Sequence, residues 1–145
     1  MCPQPRGLAD AFVTVHCDAN ADTGAHGFKL ARYRASALPA HDDALIEALR
    51  SRYAEATGLP WDDNITRAMS GYYAYNQRLY QSVISTRTPA AIIELGYLTN
   101  ATDRALLVGG EERIAAALSQ GILDFLAFVP SLGARQFAGT GWLIP

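Results

Sequence analysis

The chain has 145 residues, half of them hydrophobic and 18% charged, which excludes a disordered tail, a collagen-like repeat or a coiled coil and suits one globular domain. Lys and Arg number 12 against 14 Asp and Glu, a formal charge of −2, so there is no general electrostatic drive toward nucleic acid or an anionic membrane. Cys2 and Cys17 are too few for a disulfide scaffold, no apolar run reaches the ~20 residues of a membrane span, and no export signal opens the chain.

Residues 1–7 read as a loop, from two prolines and a glycine, and 8–11 as the last turn of a helix. The β-branched and aromatic run 12–16 predicts a buried strand, and the small polar residues 17–27 a loop leaving its end. Residues 28–33 alternate apolar and basic, which suits a half-exposed strand. Residues 41–57 form the first clear helix: Leu45, Leu49 and Tyr53 recur every four residues, Asp42 and Asp43 favour its start and Gly58 its end. Residues 59–65, with Pro60, Asp62, Asp63 and Asn64, are a loop.

The stretch 69–85 fits either a packed helix or a strand, with a strand favoured around 79–84. Pro89 then introduces a second buried strand, 90–95, stopped by Gly96. Asn100 with Asp103 reads as a helix cap opening a short helix to Val108. Residues 111–128 form the longest helix, with Ile114, Leu118, Ile122 and Phe125 on one face. From Pro130 onward a Gly-rich tail follows without period. Strands alternating with helices give an α/β class, a mostly parallel or mixed sheet flanked by helices.

Two ionisable residues end the apolar strands, His16 and Glu94. In open α/β sheets, ligands bind beyond the carboxyl ends of strands. If these strands are neighbours, an imidazole and a carboxylate share one crevice. Taken singly, His16 is as readily a hydrogen-bonded structural histidine and Glu94 a salt-bridged carboxylate. Taken together they suit metal-assisted hydrolysis. A neutral imidazole is a good zinc ligand, and a carboxylate off the metal can take a proton from attacking water. Ile92, Ile93 and Leu95 around Glu94 provide the desolvation that raises its pKa.

The segment ADAFVTVHCDANADTGAHGFKLARY resembles the strand and loop of zinc-dependent N-acetylmuramoyl-L-alanine amidases of type 3. TPAAIIELGYLTNATDRALL resembles the same family's final strand and cap, and ERIAAALSQGILDFL its closing helix. The resemblance implies cleavage of the amide between N-acetylmuramic acid and L-alanine in peptidoglycan, with Zn2+ as cofactor. It implies His16 as a zinc ligand, Glu94 as catalytic base, and Asn20 as a substrate-binding residue in a loop one residue longer than usual. It also implies a periplasmic or cell-wall location.

The family's other zinc ligands, a histidine and a glutamate, find no match; His26 and His41 follow His16 and stand in the wrong order. Residues 1–130 are therefore expected to be an incomplete amidase domain lacking its first third, and 131–145 a tail. His26, Asp18 and Asp22 are the available stand-ins for the missing ligands. An incomplete sheet would expose an apolar edge and favour self-association. The alternatives are a non-catalytic peptidoglycan-binding or regulatory remnant, its groove lined by Trp61, Tyr72, Tyr73 and Tyr75, and an unrelated α/β binding module.

Overall fold

A computed structural model describes residues 9–71 and 87–137, with 130–137 described as backbone alone. In chain order the elements are β1 (Phe12–Asp18), β2 (Lys29–Ala31), α1 (Pro39–Thr57), α2 (Arg67–Gly71), β3 (Ala90–Tyr97), α3 (Ala101–Gly109) and α4 (Glu111–Phe137). The sheet has the order β1-β3-β2, with β1 parallel and β2 antiparallel to β3. The mixed sheet flanked by helices is the expected class.

The central strand β3 is apolar on both sides because both sides are covered. Ala91 and Ile93 point to one face with Leu30, where they join Leu45, Leu49 and Tyr53 of α1 and Ile114 and Phe125 of α4. Ile92 points to the other face and packs with Ala31 and Met69 of α2. Each fully buried aliphatic or aromatic side chain in the larger cluster contributes on the order of 1.5–3 kcal/mol. The predicted helical spacing places Leu45, Leu49 and Tyr53 on the buried face of α1. The Tyr53 hydroxyl donates to the Leu95 carbonyl at 2.7 Å, tying α1 to β3. The helix ends at Gly58, whose φ of 69° suits glycine and whose N–H donates to the Ala54 carbonyl at 2.9 Å.

Four expectations need correction. Strand β1 is not buried: it lies at one edge of the sheet, and Val15 is 51% exposed. Its β-branched residues signal a strand, but the pattern alone does not say which strand sits in the middle. Strand β2 is not half exposed. Lys29, Leu30 and Ala31 are all buried, because a parallel bridge from Phe28 to Trp61 covers that side and Lys29 finds carboxylates inside. Residues 9–11 are irregular, and Phe12 N–H is held by the Pro89 carbonyl instead. Helix α4 runs past Pro130 to Phe137. Proline removes one backbone donor, but its fixed φ is helical, so the backbone continues where the apolar period stops. The strand expected at 79–84 and Tyr72, Tyr73 and Tyr75 lie outside the described residues.

Candidate active site

The β1–β3 ladder pairs His16 with Glu94, and the β2–β3 ladder pairs Lys29 with the same Glu94. Paired residues in a ladder share a face, so His16, Glu94 and Lys29 form one row across the sheet. The two strand-end residues singled out in the sequence are thus neighbours. Beyond this row the β1–β3 register shifts between His16 and Asp18, and Asp18 pairs with Tyr97. The irregularity turns the end of β1 into the wall of a cleft of 340 Å³. Cys17, Asp18 and Ala19 line one side, Thr66, Ala68 and Met69 the other, and Glu94 also faces it.

Glu94 is 5% exposed, and its Oε2 has no hydrogen-bond partner among the described residues. No salt bridge to Glu94 is found among the described residues. Burial pushes its carboxyl up to about 7; the Asp18 charge adds to the shift and the Lys29 ammonium opposes it. A carboxyl that exchanges its proton near neutrality is suited to general acid–base work. Cys17, exposed on the bulge, has its thiol pKa raised, first by partial burial and then by Glu94.

Lys29 is the residue sequence reasoning missed. In an alternating apolar and basic run it reads as solvent-facing, yet it is 3% exposed. Its Nζ donates to Asp18 Oδ2 at 2.9 Å, lies 3.5 Å from Asp62 Oδ2, and sits 4.8 Å from the Tyr97 ring centre. Burial works against the ammonium, but its contacts with Tyr97 and Asp18 outweigh that and hold its pKa above the usual lysine value. The Tyr97 hydroxyl donates to Asp62 Oδ2 at 2.6 Å. No sequence spacing links residues 18, 29, 62 and 97; only the fold brings them together.

The loops around the cleft are fastened by Asn100 and Asp103. Asn100 Oδ1 accepts from the amides of Thr102 and Asp103, the predicted cap, while its Nδ2 donates to the Thr23 carbonyl at 3.0 Å. Asp103, fully buried, accepts through Oδ2 from the amides of Gly27 and Tyr97 at 2.9 and 3.0 Å. Gly27 has φ 105°, and a side chain there would meet the Pro60 carbonyl oxygen at 2.5 Å. Asn20 folds its loop: Oδ1 accepts from Asp22 N–H, and its own N–H donates to Thr99 Oγ1. Neither Asn20 nor His16 is among the residues lining the cleft.

Among the described residues the expected zinc finds no complete set of ligands: no group of three His, Cys, Asp or Glu is placed to hold a metal ion, whereas a catalytic zinc takes three protein ligands. The suggested stand-ins are engaged or remote. Asp18 binds Lys29 and Asp22 accepts from Gly24 N–H; His41, which is not one of them, lines a different cavity with Ala9, Asp10 and Pro89 at the strand starts. His26 is exposed in its loop.

Several solved structures share this fold. The apo form of the N-acetylmuramyl-L-alanine amidase Ami1 from Mycobacterium abscessus matches at 28% identity and TM-score 0.59, over 81% of this chain and 55% of that one. The catalytic domain of CwlV, an N-acetylmuramoyl-L-alanine amidase from Bacillus (Paenibacillus) polymyxa var. colistinus, matches at 24% identity and TM-score 0.57, over 82% and 59%. The CwlD amidase from Clostridioides difficile, solved in complex with the GerS lipoprotein, matches at 19% and TM-score 0.59, over 84% and 57%. The chain thus spans less than three-fifths of the length of each of these structures. No curated protein matches it in sequence. The family described as N-acetylmuramoyl-L-alanine amidase, type 3, matches residues 6–124, and the chain belongs to that family.

Proposed function

We propose that this chain serves the hydrolysis of the amide bond between N-acetylmuramic acid and L-alanine in peptidoglycan, at the cell wall or in the periplasm, with Glu94 as general base. The observation that carries this reading is the carboxyl itself. Glu94 is buried, unpartnered at Oε2, aimed into a cleft and pushed up to about 7. At that pKa it can take a proton from the water attacking the amide carbon and return it to the departing amine. Zinc is the cofactor the family implies, and His16 is the ligand this chain offers it. Because the described residues do not complete a zinc site, only the proton step is assigned here, to Glu94.

The second reading that the family resemblance leaves open is a chain that holds peptidoglycan without cutting it. Purified sacculi incubated with the chain and added zinc separate the two readings. Release of peptides with a free L-alanine amine by the wild type, and none by Glu94→Gln with zinc uptake unchanged, supports hydrolysis. Cosedimentation without release supports binding alone. Full activity of Glu94→Gln removes the assignment of the base, and no binding removes both readings.

A further inference from the structure

The cleft in front of Glu94 has two walls from distant parts of the chain. One is the end of β1, Cys17 to Ala19; the other is Thr66, Ala68 and Met69, at and before α2. The first wall is tied to β3 through the Asp18–Tyr97 pair, but among the described residues no backbone hydrogen bond joins one wall to the other. The β1–β3 register breaks between His16 and Asp18, where the first wall begins. The second wall belongs to no strand of the sheet.

One buried cation reaches the first wall and the segment that leads into the second. Lys29 stands on β2, across β3 from β1, and its side chain passes over the Tyr97 ring to Asp18. The same Nζ lies 3.5 Å from Asp62, which stands on the segment leading into α2. Asp62 is itself anchored: Oδ2 accepts from the Tyr97 hydroxyl, Oδ1 from Asn64 N–H, and its backbone N–H donates to the Phe28 carbonyl. Lys29 does not line the cleft, so it acts through Asp18 and Asp62. Without the ammonium, those two carboxylates would face each other beside Glu94 with no positive charge to hold them, and like charges in a poorly solvated site separate.

We propose that Lys29 is the positioning residue of this site: its buried ammonium clamps Asp18 to Asp62 and so fixes the width of the cleft in front of Glu94. The proposal rests on the reading of Glu94 as the working carboxylate, but its geometry is testable without turnover. The expected size is set by the charge: removing one partner of a buried ion pair leaves the other uncompensated, which is costly locally. A plain stability role would loosen the whole domain, whereas a clamp loosens only its two ends.

Amide hydrogen exchange on the full chain, with Lys29→Met and Lys29→Arg beside the wild type, distinguishes these. Lys29→Met should speed exchange about tenfold at residues 18–20 and 62–66, leave the amides of α1 and α4 unchanged, and be reversed by Lys29→Arg, which keeps the charge. A rise spread evenly over α1 and α4, no rise at the two walls, or no rescue by arginine overturns the proposal. If Lys29→Met does not fold, Asp62→Asn decides. It breaks the pair from the other end and should loosen the same two segments; unchanged exchange there overturns the clamp. Absence of peptide release by the wild type would sink the hydrolytic reading alone and leave the exchange result intact.

Discussion

The two faces of the sheet are built on opposite principles, though they share the same three strands. On one face Ala91, Ile93 and Leu30 meet α1 and α4 in an apolar cluster, beside which the buried Asp42 of α1 accepts from Ala90 N–H at the start of β3. On the other, a single step along each strand replaces apolar packing with the row His16, Glu94 and Lys29. Its apolar part is reduced to Ala31, Met69 and Ile92 with a few partly buried neighbours. The period of two along a strand makes this possible. Ile93 and Glu94 are adjacent in sequence, yet one belongs to the core that holds the domain together and the other to the cleft. The first face supplies the stability that lets the second carry a desolvated carboxyl.

The sharpest way to break this division is to damage the apolar face alone. Leu49 is fully buried between α1 and its partners in the core. Leu49→Ala removes packing that has no substitute and should cost about 3 kcal/mol, within the 2–5 usual for such truncations. Denaturant unfolding would show it as a lower midpoint with an unchanged slope. Sacculus binding and peptide release under native conditions should stay as in the wild type. Loss of either before unfolding would mean that the faces are not separable.

Much of the apolar face was legible in the sequence, because periodicity reports burial directly. Leu45, Leu49 and Tyr53 on α1, and Ile114 and Phe125 on α4, are buried as their spacing predicts. The polar face was legible only at His16 and Glu94, although β1 and β3 run past them to Asp18 and Tyr97. His16 and Glu94 stand out because ionisable residues are uncommon in such runs, and their register confirms that they are neighbours. The burial of Lys29 was hidden. Its partners come from β1, from the α1–α2 connection and from β3, and no local pattern announces a contact between residues so far apart. The exposure of β1 was hidden for a related reason. Residue types that suit a central strand also suit an edge, and strand order is a property of the whole sheet.

The polar face should carry a pH signature of its own, set by Glu94. The folded protein holds Glu94 protonated up to about 7, against the ordinary 4.5, so it binds this proton more tightly than the unfolded chain does. The associated stability is fully present below pH 4.5 and is lost as pH rises through 7. The shift corresponds to at most about 3 kcal/mol. Glu94→Gln removes the titration. Denaturation midpoints of wild type and variant, measured from pH 4 to pH 8, should therefore show a gap that moves in the variant's favour as pH rises, with most of the change between 4.5 and 7. A constant gap across that range would show that burial does not disfavour the charge.

The smallest effect expected tests how the two faces are joined at their common end. Asn100 caps α3 through Oδ1 and reaches the Thr23 carbonyl through Nδ2, so one side chain serves both a helix packed on the sheet and the loop beside the cleft. Losing a cap costs about 1 kcal/mol, and the exposed bond to Thr23 adds little. Asn100→Ala should therefore lower stability by about 1 kcal/mol. Asn100→Asp keeps the acceptor for Thr102 and Asp103 but loses the donor to Thr23. It should keep the stability of the wild type while exchange quickens in residues 20–27. If Asn100→Asp is as costly as Asn100→Ala, the cap is not what this residue contributes, and the stability of α3 rests on Asp103 and its bonds to Gly27 and Tyr97.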